Sequence, residues 1–418
     1  MLRQMRGWAG EHRFAPCLLL LFFVLTVRTP AQFLLKVAPG EGVTLMPSDM
    51  AILEADSERK DLPCSVTPRK ADLGFDLRFH SGYEVTIPMT ELAGSGEVLT
   101  VLFRVYPEED KGRAAYFVQH IQVPPLSDEI KGDALLGGGI DIGEGKYHVD
   151  WLMRDRMERL CSSSWDIDAA LAPKDKPIPL FLGPREIAQS LPEPFVNDSA
   201  NRPGDLEQGL NVKLLVNFAP QNLVSPALRR SDTDALVTIL KAIERDPHVG
   251  HISLVAFNIE ESRVVYRQDS GQQIDFPSLG KALETMKLGT VNLVRLQQKH
   301  SDTDFLASLI EKEVGETAHP DAVIFAGPKA MLDADVPQGD LRRIGDIECP
   351  VFYMNYNLNP QAVPWKDSIS HAIKAFKGTE YTISRPRDLW FSTTEMLNRI
   401  VRSKRDRALA RAAAGGSE

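Results

Sequence analysis

No residue set in this sequence points to a reaction. It has no Gly-x-Ser-x-Gly elbow, no His-Glu-x-x-His and no Cys-x-x-Cys, so the commonest nucleophile, zinc-hydrolase and redox signatures are missing. Cysteine is scarce, four in 418 residues, too few for a disulfide-built scaffold. Positive charge is in deficit: 48 Lys and Arg face 57 Asp and Glu, a formal charge of −9. That balance argues against nucleic acid as a partner. Beyond the N-terminus no run reaches the roughly 20 apolar residues that span a bilayer. What remains is ordinary globular composition, 43% hydrophobic and 25% charged, in a chain long enough for two domains or three.

The N-terminus reads as an export signal. Arg3, Arg6 and Arg13 precede the apolar run 15–27, and Arg28-Thr29-Pro30-Ala31 closes it with a small residue before Gln32. A basic start, a short apolar core and a small-residue end match a cleavable signal peptide over 1–31, cut after Ala31. An uncleaved anchor is the alternative. Cys17 lies at the front of the apolar core, which suits a lipoprotein poorly. The expected location is periplasmic or extracellular, with no transmembrane span after signal removal. In an oxidising compartment Cys64 and Cys161, both in the N-terminal half, are the candidate disulfide. Cys349 reads as a small core residue.

Residues 32–171 read as an antiparallel, β-sandwich-like domain. "DLGFDLRFHSGYEVTIP" suggests two strands about a Ser81-Gly82 turn. In "GKYHVDWLMRDRMERLCSSSWDIDA", Tyr147, Val149, Trp151 and Met153 share one face, which Cys161, Ser163, Trp165 and Ile167 repeat after a charged turn. Period-two alternation with a polar second face is the pattern of half-buried antiparallel strands. Residues 172–208 are Pro-rich and aperiodic, a linker that packs in part on a domain. From 209 to 402 strands and helices alternate, the pattern of a doubly wound α/β domain. "SRVVYRQ" follows the second strand too closely for a helical crossover and should be an antiparallel edge strand. Residues 403–418 read as a flexible basic tail.

The element order over 210–402, with "LVAFNIEESRVVYR" as second strand and edge hairpin, resembles a von Willebrand factor A-type domain. With the β front and the signal, the whole looks like bacterial secreted proteins described as VWFA-related. The resemblance implies a divalent metal at the carboxyl end of the sheet, held by Asp-x-Ser-x-Ser after the first strand, a loop Thr, and an Asp after the fourth strand. Here Asn217, Ala219 and Gln221 stand in the first motif, and Thr303 matches the loop Thr. Ala326-Gly327-Pro328 replaces the last carboxylate. Hard cations need anionic oxygen, so no metal or other cofactor is expected. A rearranged Mg²⁺ or Mn²⁺ site from Asp232, Asp302 and Thr303 stays open, because "SDTD" opens two predicted helices, at 231–234 and 301–304. The competing reading of each is a capping box, in which Ser caps and the acid three residues later reaches back.

Weaker signals are set against simpler readings. The glycines of 137–147 glance at a phosphate loop, but Tyr147 replaces the Ser/Thr and the segment enters a hairpin, so a flexible loop is expected. His80, His120 and His148 would bind zinc only if their strands were neighbours; scattered exposure is simpler. Trp151 and Trp165 read as core. Arg402, Lys404, Arg405 and Arg407 read as a solvated helix end, with contact to an anionic surface as the alternative.

The expected function is an exported, non-catalytic binding or scaffold protein with an unidentified protein partner. The switch-point loops would carry the contact through Asn217, Gln221, Asn222, Ser231, Asp232, Ser301, Asp302, Thr303 and Lys329. One alternative is an enzyme or small-molecule binder using Asp232, Asp302 and Lys329 in the same crevice. Another is an envelope-attached structural protein.

Overall fold

Alternating apolar and polar residues build the first half of the chain as antiparallel strands. The computed structural model describes residues 33–35, 47–55, 58–190, 195–197, 209–221, 228–286, 300–315, 320–344, 347, 349–358 and 366–415. The export segment 1–31 lies outside them. In chain order the elements are β1 (Phe33–Leu35), α1 (Pro47–Glu54), β2 (Ser65–Leu73), β3 (Phe79–Pro88), β4 (Glu97–Pro107) and β5 (Ala115–Val123). There follow β6 (Asp133–Ile142), β7 (Gly145–Arg154), β8 (Leu160–Ala169) and β9 (Ile187–Gln189).

These strands form a five-stranded sheet, β1-β5-β4-β7-β8, and a four-stranded sheet, β2-β3-β6-β9. Both contribute to one core: Tyr83, Val85 and Ile87 of β3 and Ile140 of β6 lie with Val101 and Phe103 of β4 and Trp151 of β7. The Tyr83 ring meets Phe103 and Trp151 edge-on, with centroids 5.5 and 5.3 Å away. Each fully buried aliphatic or Phe side chain here contributes roughly 1.5–3 kcal/mol. Trp151 belongs to this core, and the half-buried Trp165 packs against it. Cys64, just ahead of β2, is bonded to Cys161 of β8, so the disulfide joins the two sheets.

Two local expectations are corrected. The chain does not turn at Ser81-Gly82, which lie inside β3. The turn is at 74–78, closed by the Gly74 N–H on the Arg78 carbonyl (2.8 Å), with Leu77 at φ 61°. Nor is 137–147 a flexible loop. Gly137, Gly138 and Gly139 lie in β6 and pair with Glu84, Tyr83 and Gly82. A Cβ at Gly138 would come within 2.6 Å of the Tyr83 ring, so this glycine makes room for the central aromatic of the core.

The Pro-rich stretch is partly built into the structure. β9 adds to the edge of the four-stranded sheet through β6. The Phe181 ring sits between two guanidinium groups, Arg78 at 4.2 Å from the β half and Arg245 at 4.9 Å from the α/β half. Cation–π contacts of this kind hold a ring without burying it.

The second half comprises β10 (Leu210–Asn217), α2 (Arg230–Glu244), β11 (Val249–Asn258), β12 (Arg263–Gly271), α3 (Phe276–Leu283), α4 (Ser301–Gly315) and β13 (Ala322–Gly327). It continues with α5 (Gln338–Arg343), β14 (Val351–Tyr356), α6 (Ser368–Ala375), β15 (Thr379–Ile383) and α7 (Pro386–Gly415). The sheet order is β12-β11-β10-β13-β14-β15. All pairs are parallel except β11 with the edge strand β12. Helices cover both faces. Leu236, Ile239 and Leu240 of α2, Leu279 of α3 and Leu397 and Ile400 of α7 pack on one face. Leu306 and Ile310 of α4, Leu341 of α5 and Ile369 and Ile373 of α6 pack on the other.

The expected flexible tail is corrected as far as Gly415. Ala and Arg, both strong helix formers, carry α7 onward, and its cations find partners at the amino end of the sheet. Lys404 and Arg407 both pair with Asp321 (2.9 and 3.3 Å). Those two side chains, still partly exposed, are therefore engaged internally.

Candidate functional site

The strand order reverses about β10: β11 lies on one side of it and β13 on the other. In open α/β sheets the crevice at the carboxyl ends of such strands is where ligands bind. Asn217 ends β10, completely buried. Its Oδ1 accepts the Ile259 backbone N–H at 3.2 Å, which fixes the orientation of the amide. Among the described residues its Nδ2 has no hydrogen-bond partner. Gly327 ends β13 at φ 154°, and a Cβ there would stand 2.8 Å from Asn217 Cβ, so glycine is what lets the two strand ends close up.

Beside Asn217 is a crevice of about 60 Å³, lined by Ala219, Pro220, Ile259, Glu260, Asp302, Lys329, Ala330, Met331 and Leu332 as well. Asp302 Oδ1 accepts from the Ser262 hydroxyl (2.6 Å) and the Ser301 hydroxyl (3.2 Å). Thr303 is buried and donates to the Ala334 carbonyl (2.9 Å), tying α4 to the loop after β13. The same loop is held from below. Asp367 accepts the Ala330 N–H (3.3 Å) and the Ile369 N–H (3.1 Å), and Tyr353 donates to the Pro328 carbonyl (3.1 Å). Burial, more than any neighbour, pushes the Asp367 carboxyl up to about 6. Lys329 has no ion-pair partner among the described residues.

Gln221 and Asp232 form a separate group. Gln221 donates to Asn357 Oδ1 and accepts the Leu358 N–H, both at 3.1 Å. Asp232 is buried at the start of α2, and burial raises its carboxyl above the ordinary value. The two SDTD segments thus serve different groups: Asp302 lines the crevice and Asp232 does not. Asn222 lies outside the described residues, and Ser231 is placed only by its backbone, in the first turn of α2.

The capping expectation is corrected in detail. α2 begins earlier than Asp232, with Arg229 at its N-cap, so the third helical residue is Asp232, and its carboxylate takes the Arg229 N–H at 3.2 Å. In the second segment the Ser301 hydroxyl turns to its neighbour Asp302 instead of to the helix backbone.

The three histidines are not brought together. His120 contacts Thr100 Oγ1 (3.2 Å), and His148 contacts Asp166 (2.6 Å) and Asp150 (3.2 Å). His80 belongs to a cluster that its sequence position did not announce. Its Nδ1 faces Asp141 Oδ1 at 2.8 Å and its Nε2 faces Asp76 Oδ1 at 2.9 Å. Asp76, His80 and Asp141 are the group among the described residues whose spacing could hold a metal ion. A neutral imidazole has one N–H and cannot donate to both carboxylates. A protonated His80 with Arg78, which pairs with Asp141 at 3.2 Å, balances the two acids charge for charge. Burial alone would lower its basicity, but the hydrogen bonds to Asp141 and Asp76 outweigh it and raise the imidazole to about 10. The geometry therefore fits a proton better than a divalent cation. The cross-strand pairing of His80 with Asp141 makes the cluster, and the two are far apart in sequence.

No family model matches the chain, and no curated protein does. Among solved structures it is similar to proximal thread matrix protein 1 from the mussel byssus, described with a zinc-occupied MIDAS motif. The identity is 8% and the TM-score 0.26, over 45% of this chain and 47% of that one. It is also similar to the PilB minor pilin of Streptococcus sanguinis, at 6% identity and a TM-score of 0.28, over 72% and 87% of the two chains. A glycosyl hydrolase family 2 member from Bacteroides cellulosilyticus is matched at 8% identity and a TM-score of 0.19, over 77% of this chain and 39% of that one. The chain spans about half of the byssus protein and well under half of the hydrolase. Scores this low carry no inference about fold or function.

Proposed function

We propose that the protein is an exported, non-catalytic binding protein, with an α/β domain of the von Willebrand factor A type that has lost the conventional metal ligands. The domain takes a protein partner on the loops at the carboxyl end of its sheet. The observation that carries this reading is the form of that end. Its crevice is about 60 Å³, far below the roughly 300–1,000 Å³ of small-molecule sites. Of the carboxylates that line it, Asp302 is engaged by two hydroxyls and Glu260 comes from the turn after β11, while Asp232 belongs to another group. A small crevice of mixed polar and apolar lining, whose loop is held by Thr303 and Asp367, suits contact with a protein surface. Family membership draws support from the element order and from Asn217, Ala219 and Gln221 standing where the family's ligands belong. Export draws support from the Cys64–Cys161 disulfide, since such bonds persist in oxidising compartments.

Affinity capture from an envelope extract, comparing wild type with Asn217→Ala and Thr303→Ala, tests the reading. The expected result is a specifically retained protein that both variants lose. Undiminished capture by both would place the contact elsewhere.

A further inference from the structure

We infer that the free edge of β12 pairs with β12 of a second copy of this chain. The pairing joins two six-stranded sheets into one across a two-fold axis at Tyr266.

An edge strand presents a row of backbone N–H and C=O groups without partners, and natural folds guard such rows. Among the described residues the three sheets end in β1 and β8, β12 and β15, and β2 and β9. All but β12 are guarded. β1 and β9 are three residues long and β15 is five, so each offers little to pair with. β8 is covered at its start, where the Leu62 N–H bonds the Leu160 carbonyl and the Ser162 N–H bonds the Arg59 carbonyl. Its open part carries the exposed acids Asp166 and Asp168. β2 carries Pro68, Arg69 and Lys70, all exposed. β12 is nine residues long and has neither proline nor lysine. Its arginines are engaged within the chain, Arg263 with Glu261 and Arg267 with Glu313.

The order of residues in β12 selects a second copy as the occupant. Two identical antiparallel strands pair about one residue, which then faces itself. Centred on Tyr266, Arg263 faces the copy's Asp269, and the same pair repeats beyond the axis. Val264 then faces Gln268, Val265 faces Arg267, and the two Tyr266 rings stand side by side. Opposite charges and aromatic pairs across strands both stabilise a sheet. Asp269 is exposed, and its carboxylate has no partner among the described residues. Arg263 has donors to spare, because its bonds to Glu261 and Thr285 use Nε and Nη2 and leave Nη1. Other registers fit worse. Centring on Val265 sets Arg263 against Arg267, and centring on Arg267 sets that residue against itself. Centring on Gln268 places Tyr266 against Ser270 and loses the aromatic pair.

The axis is perpendicular to the sheet, so the carboxyl ends of the two sheets point in opposite directions. A dimer built this way turns its two docking faces outward, toward two partners at once. The pairing itself does not depend on the docking reading.

The test uses the full mature chain with Cys349→Ser, so that only introduced thiols react. Sedimentation should show a monomer–dimer equilibrium without larger species, since a two-fold contact closes on itself. Asp269→Arg should raise the dissociation constant at least ten-fold, whereas Asp269→Glu should leave it within two-fold. Tyr266→Cys should form a disulfide between copies on mild oxidation. Directly opposed residues of antiparallel strands stand about 4.5–5.5 Å apart at Cα, within the reach of a disulfide. Asp269→Cys should not cross-link, because each copy lies three positions from the axis and the two thiols are about 20 Å apart along the strands. A chain that stays monomeric at about 100 μM, a dimer that survives Asp269→Arg, or cross-linking from 269 as fast as from 266 would each overturn the inference.

Discussion

Lys213 Nζ, on the central strand β10, lies 2.9 Å from Glu313 Oε2 on α4, and both side chains are buried. Arg267 of the edge strand β12 reaches the other Glu313 oxygen, so one carboxylate ties two strands to one helix. Burial alone would raise the Glu313 carboxyl, but the bonds from Arg267 and Lys213 outweigh it and hold it below its ordinary value. A group whose folded value is depressed stabilises above its unfolded value and loses that contribution as pH falls. Removing the acid takes the anionic partner from buried Lys213. Glu313→Gln should cost about 3–5 kcal/mol in urea unfolding, and Lys213→Met with Glu313→Leu should recover most of it.

His80 gives a dependence of the opposite sign. Its folded value of about 10 lies above the ordinary 6.5, so its contribution is complete below pH 6.5 and declines until about pH 10. The melting-temperature advantage of wild type over His80→Gln should therefore shrink steadily from pH 6.5 to 10. An advantage that stays constant across that range would mean the imidazole is not protonated between Asp76 and Asp141.

The Cys64–Cys161 bond joins residues 97 apart, a separation at which cross-linking restricts the unfolded chain strongly. Cys64→Ala with Cys161→Ala should lower stability to guanidinium by about 2–4 kcal/mol. Reductant should lower the wild type by the same amount and leave the double variant unchanged.

Millimolar Mg²⁺ or Mn²⁺ should leave the melting temperature unchanged. A ligand at 100 times its dissociation constant would add about 2.7 kcal/mol, easily seen in a thermal melt.

Periodicity made much of the fold legible. Leu236, Ile239, Leu240 and Ile243 announced α2, and the short spacing after Asn258 announced β12 as an antiparallel edge. Contacts across the sheet carried no local signal. Ser81-Gly82 looks like a turn because serine and glycine favour turns, yet Gly82 pairs with Gly139 in mid-strand. β9 is three residues long, too short to show a period. The tail looked loose because Asp321, the partner of Lys404 and Arg407, lies far upstream.

The site was legible in the same uneven way. Asn217, Asp302 and Lys329 share the crevice, as their places at strand and helix ends suggested. Asn258, which caps the same end by bonding the Phe218 carbonyl (2.6 Å) and the Glu261 N–H (2.8 Å), went unseen, as did Asn355 and Asp367. Asparagines and a lone helix-capping acid have no spacing rule that marks them. A buried polar residue at the last position of an apolar strand, as Asn258 is, or one before it, as Asn355 is, is the signal that could have found the two asparagines.

Photo-crosslinking from the rim of the crevice tests the docking face most directly. A photoreactive residue replaces Met331, which is exposed beside Lys329, and a control replaces Leu135, exposed on the four-stranded sheet. With chelator present, the expected result is one partner crosslinked from position 331, absent from position 135, and lost when Asn217→Ala is added. A partner captured equally from 135, or from 331 only when Mg²⁺ is supplied, would contradict a metal-free docking face at the carboxyl end of the sheet.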